Sequence, residues 1–466
     1  MMSARNLIAV VIILSGWGYF IFGSPIIRDD EPIDLLNELI IQTGPNGGPI
    51  AKLDRELCKS AFKKAGLPEP PNFGGADPVP VRKLLEAYTS WVTTHNPKAL
   101  ADMGMIFQAL EEHEPALQCF AALLELDPSN TLWRYFAGTE SQALGMEEAA
   151  ISFLEQTLND DKDYATTYAR LGSLYLADND LDKAESNYEK YRQMLPNQSL
   201  SYIGLGRVEM ARDNTVAAEW FFRQAVEATT NDYMAYRMLS RALSRNSKAD
   251  EARTISLIAD RQPQYRGWLV FDSRLMDSHA LAQTQRYLEN QMRLAQGDDV
   301  KKLIALGEQL LERRPSDSNT MGLVAEGYAT LNKFDKAQKL VDHSLELAPD
   351  SLRILCLRAR ILFFSGNIDE AYKALGDALA LDNKFANAYE LRGSFMYNQS
   401  RFAEARVALE KCVELDPIAM DARMVLVDIL LRNNEFAQAR KYLRQIQQID
   451  PNNFTANRLL QSLPQN

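Results

Sequence analysis

Apolar and polar residues alternate along most of this chain with the period of a helix, and the helices come in pairs. The stretch YARLGSLYLADNDLDKAESNYEKYRQMLP shows one such pair. Tyr168, Leu171, Gly172 and Tyr175 fall on one face of a first helix, and Ala184 and Tyr188 on one face of a second. Asn179 marks the tight turn between them, as Gly366 and Asn434 do elsewhere. Asp-Pro and similar pairs end the second helices, because the residue before a proline avoids helical geometry. Three stretches break the rhythm. Residues 7–27, LIAVVIILSGWGYFIFGSPII, contain no charge and are long enough to cross the hydrocarbon core as one helix. Residues 43–80 are rich in Gly and Pro and predict a tether, with one short helix in AKLDRELCKSAFKKAG. Residues 262–280, QPQYRGWLVFDSRLMDSHA, place Tyr265, Trp268 and Phe271 where the pattern has no slot for them.

The pairs recur at a fixed step. KFDKAQKLVDHSLELAPD, NIDEAYKALGDALALDNK, RFAEARVALEKCVELDPI and EFAQARKYLRQIQQIDPN align at Ala337, Ala371, Ala405 and Ala439, a constant step of 34. Ala116, Ala149, Ala184, Ala218 and Ala252 follow at steps of 33, 35, 34 and 34. Ten units begin near 97, 130, 165, 199, 233, 284, 318, 352, 386 and 420, so the step from the fifth to the sixth is too long by half a repeat. A small residue at the Gly172 or Ala184 position lets two helices approach, while Tyr188 or Phe222 fills the gap to the next unit. One pair cannot bury its apolar face alone, but a stack of pairs can. Helices at 80–95 and 453–463 are expected to close the two ends.

Tyr168, Leu171, Gly172, Tyr175, Ala184, Tyr188 and Pro196 in one unit, and Tyr389, Gly393, Ala405 and Pro417 in another, resemble the tetratricopeptide repeat (TPR). The resemblance covers about four fifths of the chain. It implies an all-α fold, a TPR helical-repeat solenoid of about ten helix-turn-helix units, here after an N-terminal transmembrane helix. It also implies a concave groove, lined by the first helices, that holds a protein or peptide partner. Groove positions of the fourth and fifth units then include Ile203, Arg207, Met210, Arg237 and Arg241, and those of the eighth Arg353, Arg360 and Phe363. Arg237 and Arg241 share a helix face, so an acidic side chain or a peptide carboxylate is a fitting ligand. The competing reading is that neighbouring Glu or Asp neutralises these arginines. The family's two-carboxylate clamp needs Lys and Asn, but Ala169 and Ser173 stand at those positions in the third unit and Cys356 and Arg360 in the eighth. Glu390, Asp421 and Asp428 give the ninth and tenth units an acidic counterpart.

Composition narrows the function further. The net charge of −11 argues against a nucleic-acid partner, which calls for a basic face. Cys58, Cys119, Cys356 and Cys412 are scattered without a CxxC, and so are His95, His113, His279 and His343. No HExxH, GxSxG or P-loop pattern is present. The sequence therefore offers no catalytic residue, no metal ligands and no cofactor site, and the cysteines read as packing residues. Arg5 before the apolar run and Asp29, Asp30 and Glu31 after it orient the amino end to the cytoplasm and the rest across the membrane. Cleavage of the run as a signal peptide, with secretion, is the competing reading.

The organisation expected is thus a membrane anchor over 1–28, a tether over 29–79, a first repeat block over 80–265, an insertion over 266–283 and a second block with its capping helix over 284–466. Tyr265, Trp268 and Phe271 either seal the seam between the blocks or form a lip for a partner. The function expected is a non-enzymatic, single-pass, extracytoplasmic (periplasmic) scaffold for protein–protein interactions. In layout the chain is similar to bacterial membrane-anchored repeat proteins. An accessory subunit of an envelope enzyme complex, or of a maturation or secretion pathway such as cytochrome maturation, is the alternative.

Overall fold

In the computed structural model, residues 33–229, 232–261, 272–297, 299–450 and 453–464 are described. The expected anchor over 7–27 and the aromatic trio Tyr265, Trp268 and Phe271 lie outside them. Among the described residues no helix is long and apolar enough to cross a membrane. The chain divides into two compact units, which meet in sequence between Tyr287 and Leu288.

The first unit opens with a correction. Its early residues are folded rather than a tether. A short helix, α1 (Leu35–Glu38), leads into an antiparallel hairpin of β1 (Ile40–Thr43) and β2 (Pro49–Lys52), and then into α2 (Arg55–Lys64). The Gly-rich TGPNGGP is the hairpin turn. Gly44 donates to the Gly48 carbonyl at 2.7 Å, and Gly47 takes a positive φ of 78° that favours glycine. Leu35, Phe62 and Phe73 are buried, and Phe62 stacks on Tyr88 at 4.8 Å. This small layer thereby covers α3 (Pro78–Thr94), whose Val81, Leu84, Leu85 and Tyr88 are also buried.

Five helix pairs follow in the first unit. They are α4 (Pro97–Ala109) with α5 (His113–Leu126), α6 (Thr131–Ala143) with α7 (Glu147–Asp160), α8 (Ala165–Ala177) with α9 (Leu181–Met194), α10 (Ser199–Ala211) with α11 (Thr215–Ala228), and α12 (Tyr233–Arg245) with α13 (Ala249–Arg261). One more helix, α14 (Ser273–Ala282), has no place in this series. The helix α15 (Gln285–Ala295) spans the boundary and pairs in sequence with α16 (Val300–Arg313) of the second unit. Four further pairs follow: α17 (Ser318–Thr330) and α18 (Phe334–Leu347), α19 (Leu352–Phe364) and α20 (Ile368–Leu381), α21 (Ala386–Asn398) and α22 (Phe402–Leu415), α23 (Met420–Arg432) and α24 (Phe436–Ile449). The last helix, α25 (Phe454–Ser462), buries Ala456 against the stack and leaves Phe454 exposed.

Close packing explains the repeated residues. The Tyr188 ring is wedged between Gly172 of its own pair and Gly204 of the next, where an added Cβ would lie only 2.4 Å from the ring. Gly393 stands in the same relation to Leu409, at 2.5 Å. Turns inside the pairs keep the register strictly. Glu111, Gly145, Asn179, Asp213 and Ser247, and then Asn332, Gly366, Ser400 and Asn434, all adopt positive φ, and within each series the step is constant at one full repeat. The apparent drift of the alanines in the first half disappears in the structure. Fully buried Ala150, not Ala149, stands midway between Ala116 and Ala184, one repeat from each.

Candidate functional site

Within each unit the first helices of neighbouring pairs touch one another: α8 with α10, α10 with α12, and further on α17 with α19, α19 with α21 and α21 with α23. They form the inner face, and the second helices lie outside. The five arginines expected there are divided between the two units. Arg207, Arg237 and Arg241 belong to the first unit, on α10 and α12, and Arg353 and Arg360 to the second, on α19. Arg207 is half-buried and Arg241 exposed. Arg237 lies over the Tyr233 ring at 5.9 Å, donates to Ser256 Oγ at 3.3 Å and stands 3.7 Å from the Asp260 carboxylate. Arg353 donates to Asn319 at 3.1 Å, and Arg360 pairs with Glu326. Both of those partners sit one repeat earlier, at the same position of the preceding first helix. Tyr397 closes on Asp428 at 2.5 Å, and Arg432 bonds the same carboxylate at 2.6 Å. The inner face of the second unit is thus extensively paired within itself.

The first unit is different, because α14 lies across its inner face. The described part of the insertion, from Asp272 to Ala282, packs chiefly on α4 and also on α3. Its amino end reaches residues on α6 and α8. Asp272 caps α14, accepting from Leu275 N at 3.3 Å, and is only 3% exposed. Its Oδ2 accepts from Tyr135 Oη at 2.5 Å and Arg170 Nη2 at 2.8 Å, and its Oδ1 accepts from Tyr164 Oη at 2.7 Å. Arg170 also donates from Nε to Tyr135 Oη at 2.9 Å and from Nη1 to Gln142 at 3.0 Å.

The electrostatics follow from this geometry. Burial alone would raise the Asp272 carboxyl, but the Arg170 guanidinium and the donated bonds hold it below the usual carboxylate range. Burial pushes the Tyr135 phenol well up, so it stays protonated and donates a hydrogen bond to the carboxylate. Burial opposes the charge on Arg170, and the Tyr135 and Asp272 oxygens more than compensate, which raises its pKa. Two residues on from Asp272, the Arg274 guanidinium covers the Tyr164 ring at 3.8 Å and pairs with Asp161.

The carboxy-terminal half of α14 is held by a second polar group. Fully buried Ser278 donates to Gln108 Oε1 at 2.7 Å, and Gln108 donates to Glu140 at 2.6 Å. His113 Nδ1 meets the other Glu140 oxygen at 2.8 Å, a contact that raises the His113 pKa. His279, 8% exposed, faces Thr284 at 3.1 Å. Burial and then the Arg286 charge lower its pKa to about 4, while Glu111, paired with Arg286 at 2.7 Å, opposes them. Leu275 and Leu281 are partly buried against the core and Ala282 fully so.

The residues gathered here are therefore Gln108, Tyr135, Tyr164, Arg170, Asp272 and Ser278, none of them among the expected groove residues. One signal was available: a single helical turn, DSRL, in which Asp272 stands three residues before Leu275 as an N-cap would. No group of three or more His, Cys, Asp or Glu able to hold a metal occurs among the described residues. The four cysteines are buried and joined by no disulfide, and burial raises Cys58 and Cys356 to about 12.

Stacked helix pairs with one recurring step define a helical-repeat protein. Profiles described as tetratricopeptide repeat match residues 97–130 and 165–191, 356–411, and 397–463, so the chain carries tetratricopeptide repeats in both units. It is 26% identical over 168 residues to ER membrane protein complex subunit 2-A of Xenopus laevis, covering 34% of this chain and 54% of that one. The match to ER membrane protein complex subunit 2 of Xenopus tropicalis has the same extent. The chain thus spans about half the length of the curated relatives it matches. Similar solved structures include MamA (19% identity, 34% of this chain and 92% of that one, TM-score 0.32). The Cut9–Hcn1 hetero-tetramer of APC/C (12%, 83% and 93%, 0.34) and yeast Tom70 (14%, 78% and 93%, 0.29) are others.

Proposed function

We propose that this chain is a non-enzymatic scaffold that recruits other proteins through its repeat faces, anchored in a membrane by residues 7–27 with the repeats on the extracytoplasmic side. The observation that carries the scaffold reading is the inner face itself. Its first helices present Arg, Tyr, Asp and Gln in fixed, hydrogen-bonded positions, which is how a protein surface selects a partner. The uncharged run at 7–27, with Arg5 before it and Asp29, Asp30 and Glu31 after it, supports the anchor and its orientation. A second reading, an accessory subunit of a membrane-bound complex, draws on the relatives named as subunits of the ER membrane protein complex.

Crosslinked purification from membranes tests both. The full chain should recover the same protein repeatedly, and reversing Arg237 and Arg241 together to Glu should reduce that recovery with the helical signal unchanged. Equal recovery by the reversed variant would remove the groove arginines from the reading. Failure of the full chain to sediment with membranes would remove the anchor.

A further inference from the structure

The helix α14 raises a question that the repeat pattern does not answer. Each helix from α4 to α13 has a partner in sequence that makes it half of a repeat. The helix α14 has none, and it lies where a repeat array receives a ligand. Its contact is also unlike the cores of the pairs. Asp272 is clasped by two phenols and a guanidinium, Ser278 is held by Gln108, and Arg274 is stacked on Tyr164 and paired with Asp161. Tyr and Arg around a desolvated charge are the makings of a recognition site. In the second unit Arg360 and Arg432 find carboxylates on first helices of the array itself. In the first unit Arg170 receives its carboxylate from α14.

We propose that the inner face of the first unit is a docking site for a short helix capped by a carboxylate, that α14 is its resting occupant, and that a partner helix of the same chemistry replaces it. The inference rests on the scaffold reading and names the partner's form. The occupant specifies the ligand. Asp272 gives an acidic N-cap, Leu275 an apolar residue three positions on, Ser278 a hydroxyl at six, Leu281 an apolar residue at nine and Ala282 a small one at ten. At helical spacing these positions follow the side of α14 that meets the array. A carboxylate is required at the cap, because two phenol protons and a guanidinium converge on it, and an amide would turn an NH2 toward donors. A helix of ten residues does not persist alone in water. Release of α14 would therefore unfold it and leave the face open.

The test uses the full chain and a labelled synthetic peptide of residues 272–284, DSRLMDSHALAQT. A variant carrying Asp272→Asn and Ala282→Glu, which loosens α14 while leaving its receptor residues intact, should bind the peptide saturably and at least tenfold more tightly than wild type does. Adding Arg170→Gln to that variant, or replacing the peptide's Asp with Asn, should weaken binding at least tenfold. Amide exchange on the wild-type chain should show α14 opening at least tenfold more readily than α4 and α6. A folded double variant that ignores the peptide would overturn the proposal, as would α14 amides that exchange only as slowly as those of α4. The exchange measurement decides the matter even if the double variant fails to fold. Neither readout depends on a cellular partner, so failure here is distinct from failure of the scaffold reading.

Discussion

Asp272 and Arg170 form a nearly buried pair, and such pairs are sensitive to loss of one member rather than of both. Arg170→Ala would leave the Asp272 carboxylate desolvated with only its hydroxyl and amide donors. We expect about 3–5 kcal/mol lost from the first unit, read as a lower urea midpoint; Arg170→Lys should restore only part of it, since one ammonium cannot reach Tyr135, Gln142 and Asp272 together. His279 sets a pH response. Its folded pKa of about 4 lies below the unfolded value of about 6.5, so the unfolded chain takes the proton first as pH falls. Stability is therefore lost between about pH 6.5 and 4, by about 2 kcal/mol at pH 5 and about 3 in full. His113 works the other way. Its raised pKa gives stability that is complete below about 6.5 and fades as pH rises through its folded value. Unfolding at pH 7 and pH 5 should show a smaller acid loss in His279→Gln than in wild type; equal losses would show that His279 is not the sensor.

The turns inside the helix pairs hold side chains at positive φ, where an L-residue with a Cβ is strained. Ser247 and Ser400 are two of them, at φ 62° and 59°. Ser247→Gly and Ser400→Gly should each raise stability by up to about 1 kcal/mol, measured by denaturant melts; a decrease would mean that the serines make contacts worth more than the strain. Gly204→Ala should act in the opposite direction, since its Cβ would meet the Tyr188 ring at 2.4 Å. A loss of about 1–3 kcal/mol is expected from such overpacking. These elements were the legible part of the chain. Close approach of two helices demands a small residue at a fixed spacing, and that demand is written into the sequence at Gly172, Ala184 and Ala405. The seat of α14 was harder to see than the helix itself, because its anchoring contact joins residues 137 apart with no periodicity to betray it. The hairpin was misread as tether because glycines that make a turn look the same in sequence as glycines that make a linker. For Arg353 and Arg360, comparison with the preceding first helix, where Asn319 and Glu326 stand, would have shown the pairing.

At the scale of the molecule, the chain is two units built on one repeat. The cores around Leu303, Ala371, Ala405 and Ala439 are each made from helices of the second unit. Because repeat stability sums over nearest neighbours, residues 284–466 expressed alone should give a helical circular dichroism spectrum and a cooperative melt. A low-helix or aggregated product would show that the second unit depends on the first. One consequence concerns the occupied inner face. Ten residues, 262–271, join the end of α13 to Asp272, and even fully extended they span no more than about 36 Å. An occupant on so short a leash is present at its own site at an effective concentration on the order of millimolar. A free helix of equal intrinsic affinity would have to reach that level to fill half of the molecules. The face is therefore silent toward weak or chance ligands and answers only one that binds far more tightly or that arrives already concentrated. The interruption in the array works as a threshold.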